Sequence, residues 1–433
     1  MNKYIIAVLL AVAAFYSCKK DDTSLFNKSA DERLTEALKA YQTQLSGAQN
    51  GWKATLYPKG GGVFSFYFKF NDSNRVQMLS DFDSSSAANF GESSYRIKGL
   101  QQPSLLFDTY SYLHVLSDPD ETVNGGTRGA GLVSDFEFYF DSSSTDTIKL
   151  VGRFNGSKAV LVRATQQEAT AFANRQLANG LNINKILTYF KRLTIGNQLF
   201  DVQINLQNRS FTFSWLGANG VVQSFTTNYY LTIEGITFAN PLVVGNTTIS
   251  SFNNMNFNAT TASISMTVNN QPASVAGVVV PLKVDVNAPA RWWNQAAATG
   301  DYWISATGFH SNGVDNAFNI TALKSGTFPY YYLIYWPAYT ASNDVFAPIF
   351  LNTAANSLTL SYGTAPRKPT FTSDGRAVFV QAGTYGAYPS TGAAASSRTL
   401  LYNSSGYYFV QTSPTTYDMV SASDGKSWIT WEM

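Results

Sequence analysis

Apolar and polar residues alternate with a period of two through most of this chain, and that rhythm predicts strands. Phe64, Phe66, Phe68 and Phe70 fall on one side, with Ser65, Tyr67 and Lys69 on the other, as in a strand with one buried face. The same alternation recurs in Phe136, Phe138 and Phe140, in Phe211, Phe213 and Trp215, and in Ile264, Met266 and Val268. On this basis residues 52–57, 63–70, 75–79, 94–98, 105–108, 112–116, 135–140, 147–153 and 159–163 are strands of an antiparallel meander. A later set is expected at 301–306, 317–323, 330–336, 358–362, 377–381, 406–411, 417–421 and 427–432. The run 383–397, rich in Gly, Ala and Ser, reads as a mobile loop.

Helical spacing interrupts this rhythm. Ser29 and Glu32 form a capping-box pair, and Leu34, Ala37, Leu38, Tyr41 and Leu45 follow on one face. Residues 166–193 carry a second helical pattern with a break at Asn179-Gly180, and 288–299 a short one bearing Trp292 and Trp293. The predicted class is therefore mainly β (α+β): antiparallel β-sandwich or meander lobes with two or three packing helices. Residues 29–165 form a first helix-plus-meander domain and 166–285 a second. Tyr95–Gly99 before Pro103 and Leu231–Gly235 before Pro241 suggest a duplication; patterning shared by all meanders is the alternative. Residues 286–433 form a C-terminal aromatic-rich β domain.

The N-terminus has another logic. Lys3, an apolar run from Tyr4 to Phe15, and Ser17 before Cys18 have the layout of a secretory leader, too short for a membrane span. Residues 1–17 are expected to be a lipoprotein signal peptide, Cys18 the lipidated residue, and 18–28 a tether. The alternative is a leader cut elsewhere, with Cys18 incidental. Two acyl signals at one residue make stable anchoring. Lys20, Asp21 and Asp22 follow directly; they resemble the surface-export signal of Bacteroidota lipoproteins, which implies the outer membrane and an outward-facing leaflet.

Charge and composition narrow the chemistry. The 433 residues carry 30 Lys and Arg against 28 Asp and Glu, so no basic field points to nucleic acid. Only two histidines and one cysteine are present, and no metal-ligand spacing occurs; no cofactor is expected. Gly60–Gly62 joins two strands rather than opening a helix, so it does not read as a phosphate cradle. The positive signal is aromatic, at 15% Phe, Trp and Tyr. Trp292, Trp293 and Trp336, together with the run Tyr330–Tyr332, are candidates for stacking on a sugar; core packing is the competing explanation. His114, Asp108, Tyr110, Asp118 and Asp120 are a second candidate cluster.

The stretch from Gly99 through Pro103 and Asp108 to His114, running on to Asp118-Pro119-Asp120, resembles the domain of unknown function 4302 family of Bacteroidota lipoproteins. Ser29–Leu34, Gly51-Trp52-Lys53, Phe66–Asn71, Asp135–Phe138 and Gly152–Lys158 extend the resemblance, which is strongest over 29–165. The family carries no assigned activity, so no catalytic residue transfers. Its genetic company implies a nutrient-uptake setting, with a TonB-dependent transporter and a SusD-like lipoprotein as partners. The leading expectation is a non-enzymatic lipoprotein that binds glycan or peptide, or assists such a complex. The alternatives are a metal-independent hydrolase whose carboxylates converge only in the fold, and a structural subunit.

Overall fold

The computed structural model describes residues 28–433; Cys18, Lys20, Asp21 and Asp22 lie outside the described residues. Eight antiparallel strands from Trp52–Tyr57 to Lys158–Arg163 pair in sequence order, and the first also pairs with the last, closing a barrel. The meander is as expected, but it closes on itself instead of forming a sandwich. Closure leaves no free edge. Inside, the phenylalanines of the alternating strand pack with Trp52, Tyr95, Phe107 and Phe138. Fully burying each such side chain stabilises the fold by about 1.5–3 kcal/mol.

Helix Ala30–Ser46 begins at the capping box of Ser29 and Glu32 and covers one mouth of this barrel. Tyr41 stacks on Phe140 with ring centroids 3.8 Å apart. Gln42 donates to the Tyr95 hydroxyl at 2.7 Å, and the Trp52 indole donates to the Leu45 carbonyl at 3.0 Å. At the opposite mouth, the expected strand 112–116 is instead a short helix, Tyr112–Val115. Leu113 and Leu116 are both buried there, and a spacing of three suits a helical turn rather than a strand.

The second unit repeats the plan. Helix Gln166–Ala173 and the 3-10 segment Gln176–Lys185 precede a second closed barrel of eight strands, from Phe190–Ile195 to Gln271–Val278. The expected helix 166–193 runs too far: Phe190–Ile195 pairs with both Gln198–Asn205 and Gln271–Val278. That strand closes the ring, and pairing on both sides outweighs local helical spacing. Phe211, Phe213, Phe238 and Phe252 meet edge to face in the core.

The third unit is a 13-stranded sheet against which helix Ala288–Thr299 packs Trp292, Trp293 and Ala296. Three expectations change here. Residues 317–323 contain a 3-10 turn, Ile320–Ala322, in place of a strand. The supposed mobile loop 383–397 holds the end of strand Gln381–Tyr385 and most of helix Gly392–Leu401. Its small residues are packing surface: Ala394, Ala395 and Ser397 are buried, letting the helix dock closely. Strand Val345–Asn352 went unrecognised because it is apolar on both faces and shows no alternation.

The units are joined in series. Asp81 of the first barrel and Arg209 of the second form a fully buried ion pair; Asp81 also accepts from the Ser65 and Leu231 N–H groups at 3.0 and 2.8 Å. The second barrel meets the sheet through Tyr189, whose hydroxyl donates to Asp418 at 2.6 Å. Among the described residues no helix is long and apolar enough to cross a membrane.

Candidate functional site

The loop between the fifth and sixth strands of the first barrel brings together most of the His114 cluster. Tyr110 and Phe136 stack on the His114 ring at 5.7 and 4.9 Å, and the Tyr110 hydroxyl donates to Asp118 at 2.5 Å. Both imidazole nitrogens are occupied. Nδ1 accepts from the Ser111 N–H and Nε2–H donates to the Phe107 carbonyl, each at 3.2 Å, which assigns the tautomer. Burial holds the His114 pKa below the usual imidazole value, against the hydrogen bond to Phe107 and the charge of Asp108. A neutral ring with both nitrogens committed braces the loop; it has no free nitrogen to serve as a base.

The acidic members are committed too. Asp108 takes a bidentate pair from Arg96 at 2.5 Å on both oxygens. Asp118 accepts from the Asp120 N–H at 3.0 Å, and Asp120 caps the helix Glu121–Asn124 through the Thr122 N–H at 2.9 Å. The long family-like motif therefore reads as loop architecture.

The tryptophan candidates separate. Trp292 is 0% exposed, in ring contact with Tyr335 and Phe409 at 4.8 Å, and can touch no ligand. Trp293 is buried as well; its indole donates to Asp344 at 2.8 Å. Adjacent residues point to opposite faces in a strand, but on a helix they sit about 100° apart, so one broad face buries both. Both are core residues and neither presents a ring face for a ligand.

Trp336 lies elsewhere. In strand Phe328–Trp336 a bulge at Tyr331 resets the alternation, so that Leu333 and Tyr335 join the helix-covered core while Tyr332, Ile334 and Trp336 face away from it. The strand pairing sets Trp303 against Tyr335 and Ile304 against Ile334, which brings Tyr302 beside Trp336. A row of rings results. Tyr332 to Tyr302 is 6.2 Å, Tyr302 to Trp336 5.1 Å, Trp336 to Tyr339 5.0 Å, and Tyr339 to Tyr385 5.5 Å. Beneath them Ile334, Val345, Ala347 and Ile349 are buried, fixing the platform. Tyr331 at 52% and Tyr339 at 43% exposure open it to solvent.

Polar groups edge this row. The Tyr302 and Tyr332 hydroxyls lie 3.0 Å apart, and the Trp336 indole donates to the Gly300 carbonyl at 3.2 Å. Desolvation, then the Tyr302 hydrogen bond, push the Tyr332 phenol well above its usual pKa, so it stays neutral and able to donate. Tyr302, Tyr339 and Tyr385 were not foreseen, because they come from segments far apart in the chain. The one available signal was the pair of aromatic doublets Tyr302-Trp303 and Tyr335-Trp336, which antiparallel pairing sets side by side.

A cleft of about 730 Å³ between the second barrel and the sheet is a weaker candidate: it is lined by Asp201, Asp285 and Arg291, yet Asp201 pairs with Arg192 and Asp285 with Arg291. The carboxyls that burial pushes above the ordinary range, Asp81 and Asp344, are both enclosed in structural hydrogen bonds. Among the described residues no group of three or more His, Cys, Asp and Glu is placed to hold a metal ion.

Two helix-covered barrels in series with an aromatic-faced sheet define a modular, mostly antiparallel β protein. The chain belongs to the family described as a domain of unknown function, DUF4302, whose model matches residues 22–258. No curated protein matches it. Among solved structures it is similar to the Helicobacter pylori beta clamp bound to a DNA ligase peptide, at 8% identity over 93% of this chain and 97% of that one, with a TM-score of 0.16. A Nostoc punctiforme protein of unknown function from the DUF3598 family is 10% identical over 74% of this chain and 96% of that one, with a TM-score of 0.15. Likeness at that level carries no weight for function.

Proposed function

We propose that this protein is a lipid-anchored, outward-facing outer-membrane lipoprotein that binds glycan without catalysing a reaction, as an accessory to a TonB-dependent, SusD-associated uptake system. The observation that carries this reading is the half-buried aromatic row of the third unit, which opens to solvent at Tyr339. Flat rings over a rigid apolar base bury the apolar face of a sugar, while the bordering hydroxyls meet its polar rim. The anchor rests on Cys18 and the leader before it. The aromatic sheet belongs to the unit last in the chain, separated in sequence from Cys18 by the two barrels. The rival hydrolase reading draws no support from the carboxyls with raised pKa, since both are buried.

Two measurements test this. Cys18→Ala is expected to move the protein from the membrane fraction to the soluble one; a mutant that still sediments with membranes overturns the anchor. In the soluble Cys18→Ala background, Trp336→Ala is expected to weaken glycan binding by tenfold or more, about 1.4 kcal/mol, measured by calorimetry.

A further inference from the structure

We infer that the aromatic row selects an uncharged glycan in the form of a single, twisted chain, and rejects both crystalline and acidic polysaccharides. This rests on the glycan-binding reading above and names the ligand class of that same site.

Geometry speaks first. A crystalline polymer presents a flat face, so several rings must lie in one plane to stack on it together. Here successive rings are inclined to each other by 34°, 51°, 65° and 79°. The last two contacts are edge to face, so a flat surface meets at most one ring there, whereas a chain whose own residues rotate can meet more than one ring along the row. The steps of 5.0–6.2 Å between centroids are close to the length of one sugar ring.

Charge speaks second. Between Phe328 and Pro366 the only charged residue is Asp344, and it is 1% exposed, tied to Trp293, Tyr335 and the Ala338 N–H. Exposed Asp301 sits next to Tyr302. Beyond Pro366 the cations Arg367 and Lys368 are exposed, and Lys368 lies over the Trp293 ring at 3.8 Å, on the helix-covered side of the sheet. The residues from Phe328 to Pro366 thus add no cation to the row and Asp301 sets a carboxylate at its edge, which disfavours a uronic or sulfated chain there.

A polar anchor is available. The Tyr385 hydroxyl closes one end of the row, with the Thr340 side chain as a loosely aligned hydrogen-bond partner, and a sugar hydroxyl would add a second polar contact there.

The test is calorimetry and pull-down with the Cys18→Ala protein against three classes: soluble neutral glucans, mannans and xylans; insoluble crystalline cellulose and chitin; and acidic pectin and sulfated glycans. The expected result is binding to at least one soluble neutral chain, weakened tenfold or more by Trp336→Ala, retained in Trp336→Phe, and weakened about threefold by Tyr385→Phe. Binding that Trp336→Ala abolishes but that is confined to crystalline or acidic polymers overturns this inference and leaves the aromatic site standing. No binding to any class, or binding indifferent to Trp336→Ala in a variant that melts like the parent, overturns both.

Discussion

Asp135 shows what a family-like motif can mean at the scale of one side chain. Its carboxylate accepts from the Phe154 and Asn155 N–H groups at 2.9 Å, the Ser157 N–H at 3.1 Å and the Ser157 hydroxyl at 2.5 Å. It holds the turn between the last two strands of the first barrel. Gly152 has to be glycine because an added Cβ would lie 2.0 Å from that carboxylate. Both ends of the pattern Asp135–Phe138 and Gly152–Lys158 therefore answer to one hydrogen-bond cluster. Asp135→Ala is expected to destabilise the fold by roughly 2–4 kcal/mol, since several buried donors lose a charged acceptor; Gly152→Ala should cost a comparable amount through the collision. Chemical denaturation measures both.

At the scale of elements, the helix opening the second unit is pinned to the first barrel. Glu168 closes the capping box with Thr165 and pairs with Lys53 across the units. Burial pushes the Glu168 carboxyl upward, but the Lys53 and Thr165 hydrogen bonds outweigh it and hold the pKa below the usual value. A carboxyl lowered in the folded state stabilises above its unfolded pKa and loses that contribution as pH falls through the folded value. Wild type should therefore exceed Glu168→Gln in stability by about 1 kcal/mol near neutral pH. The gap should close below the ordinary glutamate range, and thermal melts across pH 3–7 would show it. A gap that widens on acidification contradicts this assignment. The helices also show how much local signal suffices: the helix from Ala30 was legible from its cap and spacing and a short helix over Ala288–Thr299 was expected without a cap, whereas Gly392–Leu401 was hidden by small residues that resemble a loop.

For the whole molecule, the Asp81–Arg209 pair is the joint between barrels. The guanidinium also donates to the Asp81 carbonyl at 2.6 Å and lies 4.9 Å from the ring centres of both Phe64 and Tyr229. Removing one partner leaves a buried charge unpaired, at about 3–5 kcal/mol. Arg209→Met and Asp81→Leu should each destabilise by that order. The double variant should fall well short of their sum, because no charge remains uncompensated. A strictly additive double-mutant cycle in denaturant would show that the two do not act as a pair.

The sequence by itself determined the strand-rich class, the first helix and its cap, the helix bearing Trp292 and Trp293, and the expectation of a lipid anchor at Cys18. These follow from neighbours a few residues apart: period two for a strand, three to four for a helix, a polar cap before an apolar face. Tertiary structure decided that two meanders close into barrels, because closure is a pairing between the first and last strands. It also decided that His114 spends both nitrogens on its own loop and that Trp292 is core. The aromatic row is the clearest case. Tyr302, Tyr332, Trp336, Tyr339 and Tyr385 come together only because a bulge at Tyr331 turns the alternation and antiparallel pairing lays distant strands side by side, a juxtaposition no local pattern encodes.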